Sequence, residues 1–236
     1  MALSRRDLTN TACVVFDVLR ATSTIVAALA NGAAEVIPVP EIAEALELHS
    51  KVPEALLAGE REGLRIRAKL TGSIDFDLGN SPREFGPEVV RDRKIILSTT
   101  NGARALRACA HAHVVLAASF LNMSATAAFL SKHVPQQILL ICSGTGEEAA
   151  YEDALGAGSL TAMIWPDSGA VADSTTIARQ IYELNQHDLP GAVSQSRNGR
   201  RLLGIPELRE DVAWCLRRDV FPLVARMERG KVVRAE

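Results

Sequence analysis

The chain has 236 residues, of which 47% are hydrophobic and 23% are charged, and its formal net charge is -2. This length and composition are typical of a globular protein with one large domain or two small ones. The balanced charge and the 4% of aromatic residues argue against a nucleic-acid-binding protein, which would favour a basic surface and stacking platforms.

The N-terminal residues 1–6 lack an apolar signal segment, and no apolar run is long enough to cross a bilayer. The cysteines are far apart without a CxxC pair, and we interpret all four as buried thiols of a reducing compartment: Cys13, Cys109, Cys142 and Cys215. We therefore expect a cytoplasmic protein with no membrane or nucleic-acid partner. A homodimer is expected because symmetric dimers are the commonest oligomers.

Strand and helix patterns alternate along the first two thirds of the chain. Strands are predicted at residues 13–18, 35–39, 55–58, 94–98, 113–117 and 137–142, with a weaker alternation at 64–68. Helices are predicted at residues 22–31, 42–49, 103–110, 124–132 and 152–164. A further helix, capped by Ser81, is expected to begin at Pro82. Pro38 and Pro40 place the second strand at a sheet edge, or end it there.

The last third is more helical. Helices are predicted at residues 174–185, at the end of 190–203 and at 206–218. Residues 221–227 and 231–234 are predicted to form a terminal hairpin or two short strands. The whole order predicts an α/β fold of three layers, in which helices flank a mostly parallel or mixed sheet. We expect one compact unit over residues 1–236, with the polar stretch at 166–174 as the candidate for a subdivision.

Polar residues recur where the predicted strands end, which is where open α/β sheets bind ligands. They are Asp17 and Arg20; Glu60 and Arg61; Thr99, Thr100 and Asn101; Ser119 and Asn122; and Ser143, Thr145 and Glu147. Glycines at 59, 102, 144 and 146 would let backbone N–H groups approach an anion. The pattern predicts a site for an anionic ligand.

The turn after the first strand combines three kinds of group. Asp17 offers a carboxylate suited to a metal ion or to acid–base chemistry, and Arg20 offers a guanidinium. Thr22 and Ser23 are predicted to cap the next helix, whose N-terminus would also favour a phosphate or a sulfonate.

Each feature also has a purely structural interpretation. Asp17 could cap its own helix, Arg20 could be solvated, and Thr99 to Gly102 could be an ordinary turn. Glu152 and Asp153 could simply favour the dipole of the helix that they open.

Two further groups are open to interpretation. His111 and His113 are most simply structural. Arg197, Arg200 and Arg201 form a basic turn that is typical of a solvated face but that could also hold a second anionic group.

Taken in order, the segments resemble one family, the 2-phosphosulfolactate phosphatases of coenzyme M biosynthesis. The similar segments are residues 17–24 (DVLRATST), 59–61 (GER), 76–84 (FDLGNSPRE), 99–102 (TTNG), 118–122 (ASFLN), 141–146 (ICSGTG), 152–154 (EDA) and 196–202 (SRNGRRL), with Asp211 and Cys215. The chain departs from the family pattern at Ser143, at Gly156 and in a longer approach to Phe76, none of which removes a candidate charged group.

The resemblance implies a Mg²⁺-dependent hydrolase that removes phosphate from a small acid carrying a sulfonate and a carboxylate. It implies Asp17, Glu60 and Asp153 as metal ligands, with Glu152 in reserve, and these carboxylates with Arg20 as the catalytic set. Thr22, Ser23, Arg20 and the turns with Thr99, Thr100, Asn101, Gly102, Ser143 and Thr145 would hold the phosphoryl oxygens, and Asn80, Ser81, Asn122 and Arg61 would orient the acid groups.

Three questions stay open at this point. Asp17 could be the nucleophile or a metal ligand, and we favour the metal ligand. The substrate could be another small phosphorylated hydroxy acid. The chain could also be a non-catalytic anion-binding module that kept the pocket.

Overall fold

The computed structural model describes residues 6–133, 135–166 and 170–235. Part of the predicted boundary at 166–174 (residues 167–169) and the first five residues lie outside these ranges. Within the described ranges, no helix combines the length and the apolar character that a membrane crossing needs.

The described residues form nine strands in a single mixed sheet. The strands are β1 (Thr11–Phe16), β2 (Glu35–Val39), β3 (Leu56–Arg61), β4 (Leu64–Arg65), β5 (Lys94–Ser98), β6 (Val114–Ala118), β7 (Gln137–Cys142), β8 (Val224–Glu228) and β9 (Lys231–Ala235). Their order across the sheet is β4-β3-β5-β2-β9-β8-β6-β1-β7.

Helices cover both faces of this sheet. They are α1 (Ala21–Ala30), α2 (Ile42–Lys51), α3 (Ala68–Thr71), α4 (Pro87–Val90), α5 (Gly102–Ala108), α6 (Met123–His133), α7 (Tyr151–Met163), α8 (Asp173–Asn185), α9 (Leu189–Ser194), α10 (Arg197–Leu203) and α11 (Arg209–Cys215). The predicted α/β architecture and its helix-rich C-terminal third are thus confirmed.

Strand β1 is buried along its whole length because it lies between two parallel neighbours, β6 and β7. Its side chains alternate between the two faces of the sheet. Cys13 and Val15 belong to the core under α1 and α5, whereas Val14 and Phe16 belong to the core under α6 and α7. A strand buried on both faces explains the continuous apolar run in the sequence.

The C-terminal hairpin β8–β9 joins two parallel halves of the sheet, one of β3, β5 and β2 and the other of β6, β1 and β7. The antiparallel pairs on either side of the hairpin set the two halves in opposite directions. Five strand-to-strand steps separate β5 from β1, and sheet twist accumulates about 100–125° over such a span. The carboxyl ends of both halves can therefore approach one another.

Several local predictions are wrong. For the second strand, the alternative that it ends at the prolines is confirmed, since β2 ends at Val39 before Pro40. The edge position is wrong, because β2 lies between β5 and β9; β9 pairs with β2 only through Val36, so this ladder does not require an N–H from residue 38. Ser81 does not cap a regular helix but precedes a short 3₁₀ turn at Pro82–Glu84. Cys142 is exposed at the end of the edge strand β7, whereas the other three cysteines are buried.

The two-sided burial of the central strands makes a stability prediction. Leu116 of β6 is fully buried, so Leu116→Ala should lower the free energy of unfolding by about 2–5 kcal/mol. Leu184→Ala, the same change at a side chain that is 83% exposed, should alter it by less than about 0.5 kcal/mol. Urea unfolding of both variants measures the difference; equal effects would contradict this account of the core.

Candidate active site

A cavity of about 230 Å³ lies where the carboxyl ends of β1, β3, β5 and β7 converge. The residues that line it come from strand ends and from α10: Asp17, Leu19, Arg20, Glu60, Glu62, Gly63, Asn80, Thr100, Asn101, Gly144, Thr145, Gly146, Asn198, Arg201 and Leu202. Residues from both halves of the sheet therefore share one pocket.

Asp17 lies at the centre of this convergence. Its Oδ1 accepts a hydrogen bond from the N–H of Ala21 (3.1 Å), the first residue of α1. The N–H of Gly102, the first residue of α5, lies near the same carboxylate and lowers its pKa. A Cβ on Gly102 would lie 2.7 Å from Asp17 Oδ2, so only glycine lets α5 start this close. The carboxylate thus lies between the N-termini of two helices.

Burial and neighbouring carboxylates control the protonation of Asp17. The loss of hydration raises the pKa of Asp17 from its ordinary value of 3.8 to about 7, although the N–H of Ala21 lowers it, and the charges of Glu60 and Glu152 raise it further. Asp17 therefore changes its charge near neutral pH unless a cation or a donor stabilises the carboxylate.

Arg20 is almost completely buried, with 3% of its surface exposed. Its Nη1 donates to Asp211 Oδ2 (2.7 Å), and its Nη2 donates to the carbonyl oxygen of Gly63 (2.6 Å). Asp211 lies on α11 and also accepts a hydrogen bond from the hydroxyl of Ser81 (2.7 Å). Asp211 is a positioning residue, since it holds the guanidinium of Arg20 at the cavity wall.

The carboxylates that the sequence placed together have different surroundings. Glu60 lines the cavity, and its Oε2 accepts a hydrogen bond from the N–H of Gly63 (2.7 Å). Asp153 uses both oxygens on backbone N–H groups, of Val18 (2.9 Å) and Gly144 (3.0 Å), and does not line the cavity. Burial and the charges of Asp17 and Glu152 hold the pKa of Asp153 well above its usual range.

Glu152 is also buried, with 1% of its surface exposed. Its Oε1 accepts a hydrogen bond from the Asn198 amide (2.7 Å), which also donates to the hydroxyl of Thr145 (2.6 Å). Among the described residues, Glu152 Oε2 and Asn80 Oδ1 are buried oxygen atoms without a hydrogen-bond donor.

A single ligand set made of all four predicted carboxylates does not form. No group of three or more His, Cys, Asp or Glu side chains within the described ranges is arranged to share one metal ion. The cavity nevertheless fits a hard cation, because two carboxylates, Asp17 and Glu60, and the unpaired Asn80 Oδ1 supply the oxygen atoms that Mg²⁺ prefers, and Mg²⁺ commonly completes its shell with water and substrate oxygen.

Other predicted residues support the cavity without lining it. The Thr22 hydroxyl accepts a hydrogen bond from the N–H of Asp17, the Ser23 hydroxyl donates to the carbonyl oxygen of Val18, and Thr99 Oγ1 accepts one from the N–H of Ala103. Thr22 and Ser23 lie inside the first turn of α1, so neither is its cap.

Two side chains that were predicted to orient the ligand, Arg61 and Asn122, are directed away from the cavity. Arg61 donates to backbone carbonyls of Glu60 and Pro40 and to Ser98, closing the ends of neighbouring strands. Asn122 is fully buried, and its amide bonds only to backbone groups around Ser119 and the C-terminal hairpin.

Ser81 is held by Asp211, and Ser143, although buried at its hydroxyl, does not line the cavity. Thr100, Asn101 and Thr145 do line it, and the Asn101 amide donates to the carbonyl oxygen of Gly144 (2.7 Å).

Sequence reasoning missed several residues at the cavity. Glu62, Gly63 and Leu19 flank predicted positions, so proximity along the chain was the available signal. Asn198 and Arg201 come from α10, far along the chain, and Asp211 comes from α11. The basic turn that contains Arg201 was considered as a site for a second anionic group, but nothing local to these segments indicated which cavity they reach.

The buried ion pair predicts a large stability effect. Asp211→Ala should lower the free energy of unfolding by about 3–5 kcal/mol, because the Arg20 charge would stay buried without its partner. Glu47→Ala breaks a pair with Lys51 whose side chains are 68% and 62% exposed, and should cost less than about 1 kcal/mol. Urea unfolding of the two variants compares them; similar small losses would refute the anchoring role of Asp211.

The raised pKa of Asp17 predicts a pH-dependent stability difference in the metal-free protein. A folded pKa of about 7 against an ordinary 3.8 means that the folded state holds the proton more tightly. The stability of the wild type relative to Asp17→Asn should then be greatest below pH 4, fall as the pH rises to about 7, and stay constant above. Denaturant unfolding with EDTA between pH 4 and 8.5 measures this difference; a constant difference would contradict the buried, protonated state.

The chain is similar to one group of known proteins over almost its whole length. A family model described as 2-phosphosulpholactate phosphatase matches residues 2–230. A protein of Caldanaerobacter subterraneus subsp. tengcongensis is 37% identical over 239 residues, covering 98% of this chain and 93% of the relative. One from a Synechococcus species is 40% identical, covering 90% of this chain and 87% of the relative, and one from Thermotoga maritima is 35% identical, covering 94% and 92%. All three are named probable 2-phosphosulfolactate phosphatase.

Proposed function

The chain belongs to the 2-phosphosulpholactate phosphatase family, and we propose that it hydrolyses 2-phospho-3-sulfolactate to 3-sulfolactate and inorganic phosphate with the help of Mg²⁺. It is an enzyme, a phosphoric monoester hydrolase. A place in coenzyme M biosynthesis stays a prediction from the family resemblance. The observation that carries the proposal is the cavity in which Asp17 and Glu60 face Arg20 and Arg201.

The two cavity carboxylates would hold the metal ion. Asp17 and Glu60 both line the pocket, and the Glu60 charge adds to the burial that raises the pKa of Asp17. A divalent cation between them would relieve this repulsion. Bound Mg²⁺ would supply neutralisation of the charge on the phosphoryl oxygens. Asp153 and Glu152 would act through position, because their oxygens hold the β1 turn, the Gly144 turn and Asn198 in place.

Donors around the pocket would hold the phosphoryl group in one orientation. The Arg20 guanidinium is fixed by Asp211 and Gly63, so it needs little further ordering when the substrate binds. Gly144 and Gly146 lie at positive φ (74° and 61°) in the turn beyond β7, where the absence of side chains leaves the backbone open to phosphate oxygens. Leu19 and Leu202 add apolar side chains to the wall of the same cavity.

Two roles of Asp17 give different chemical signatures. As a metal ligand, Asp17 leaves water as the nucleophile, and no covalent intermediate forms. As a nucleophile, it would form an aspartyl-phosphate that acid quenching preserves and hydroxylamine cleaves. We favour the metal-ligand role, since Oδ1 is held by Ala21 and the pocket places Glu60 beside it. Trapping a hydroxylamine-sensitive phosphoenzyme in a rapid quench would contradict it.

Phosphate release tests the proposal directly. The wild type should release phosphate from 2-phospho-3-sulfolactate, lose this activity in EDTA and regain it with excess Mg²⁺. Asp17→Asn should abolish turnover while the fold is kept. The control Asp75→Asn replaces an exposed carboxylate that pairs with Arg67, away from the cavity, and should keep wild-type turnover.

Other outcomes separate the alternatives. Turnover of phospholactate or phosphoglycerate with no turnover of the sulfonate ester would identify a phosphatase for another phosphorylated hydroxy acid. Binding of phosphate without turnover of any ester would identify a non-catalytic anion-binding module. Near wild-type activity of Asp17→Asn would contradict the assignment of this cavity as the catalytic site.

A further inference from the structure

We propose that Arg201 binds the second acidic group of the substrate, a sulfonate or a carboxylate, and thereby sets the specificity of the site. This inference rests on the proposed function, because it assumes a small phosphate ester that carries a further anionic group. It assigns a role to one arginine of the basic turn in α10 and distinguishes it from its two neighbours.

The two arginines that line the cavity have different surroundings. Arg20 is buried, and both of its terminal nitrogens already donate to protein oxygens, of Asp211 and Gly63. Arg201 is exposed to the cavity. Within the part of the chain that the structure describes, its guanidinium has no carboxylate within ion-pair distance and makes no hydrogen bond. Arg201 therefore has all five of its N–H donors available to a ligand, whereas two of the five on Arg20 are already used.

Its neighbours in the basic turn are occupied elsewhere. Arg197 donates to Glu148 Oε2 (2.5 Å) and to the carbonyl oxygen of Thr145 (2.6 Å), so it holds the turn beyond β7. Arg200 donates to the carbonyl oxygen of Gln195 on the outside of α10. Neither side chain lines the cavity.

Gly63 places the Arg201 guanidinium close to Arg20. A Cβ built on Gly63 would lie 3.5 Å from Arg201 Nη2, so this arginine packs against the glycine. The carbonyl oxygen of Gly63 accepts the hydrogen bond from Arg20 Nη2, and its N–H donates to Glu60. Gly63 has a φ of +82°, which favours glycine. One turn thus sets two guanidinium groups and a carboxylate around the same space.

The charges of the cavity indicate why a second guanidinium would be needed for a substrate with two acidic groups. Asp17, Glu60 and Glu62 all line it, and their negative charge would repel a substrate that carries two acidic groups. Arg20 and a divalent cation would offset this repulsion at the phosphate. Arg201 would do so at the second acid, because a guanidinium can bind a sulfonate or a carboxylate with two parallel hydrogen bonds.

A comparison of two adjacent variants tests the inference. Arg201→Ala should lower kcat/KM for 2-phospho-3-sulfolactate about 10–100-fold, mainly through KM, as expected for the loss of charge-assisted hydrogen bonds. It should change kcat/KM for p-nitrophenyl phosphate, which lacks a second acid, less than about threefold. Arg200→Ala removes the same charge one residue away and should leave both values unchanged. Arg201→Lys should recover part of the loss, since it keeps the charge but not the planar fork.

Two kinetic results would overturn the inference. One is an equal loss on both esters in Arg201→Ala, which would indicate a general effect on the site. The other is no loss on the sulfonate ester.

Equilibrium binding separates a failure of this inference from a failure of the proposed function. If the wild type does not turn over the sulfonate ester, titration calorimetry with 3-sulfolactate and Mg²⁺ measures the subsite alone. A loss of affinity of tenfold or more in Arg201→Ala, but not in Arg200→Ala, would support the role of Arg201 even though the proposed reaction is wrong. Equal affinity of the two variants, or no binding by the wild type, would overturn it.

Discussion

The structure depends on one carboxylate held between two helix N-termini. Asp17 follows β1, accepts a hydrogen bond from the N–H of Ala21 at the start of α1, and lies against Gly102 at the start of α5. Helix α5 follows β5, in the other half of the sheet, so this contact joins the two halves at their carboxyl ends. Gly102 makes the approach possible, since a Cβ there would collide with Asp17. The group at which the two halves meet and the centre of the proposed chemistry are thus the same carboxylate.

The C-terminal third contributes both to the sheet and to the site. Its hairpin, β8–β9, fills the middle of the sheet between the two parallel halves. Helix α11 contributes Asp211, which fixes Arg20, and α10 contributes Asn198 and Arg201 to the cavity. A buried ion pair such as Arg20–Asp211 adds little net stability compared with an apolar pair, but it defines one position for the guanidinium. The cost of burying these charges is consistent with a preorganised anion site.

The sequence predicted the strands and the position of the site at the strand ends better than it predicted the residues that line the cavity. The strands Lys94–Ser98 and Gln137–Cys142 were placed correctly because each is a continuous apolar run with polar flanks. The rule that ligands bind beyond strand ends correctly grouped Asp17, Glu60, Thr100 and Asn101 at one cavity. The C-terminal hairpin was predicted, but its position in the middle of the sheet was not. Asn122 was misassigned because an amide after a strand can serve the backbone as well as a ligand. Asn198 and Asp211 were missed because tertiary packing, not local pattern, brings them to the site. The basic turn was considered as an anion site, but the sequence did not distinguish Arg201 from its neighbours Arg197 and Arg200.

A crystal structure of the wild type with Mg²⁺, vanadate and 3-sulfolactate tests the central claim most directly, because it locates metal, phosphoryl mimic and acid groups together. The account predicts one metal ion bound by Asp17 and Glu60, vanadate beside Arg20 and the turn of Gly144 to Gly146, and the sulfonate or the carboxylate on Arg201. Ligands bound outside this cavity, or a metal ion held without Asp17, would contradict it.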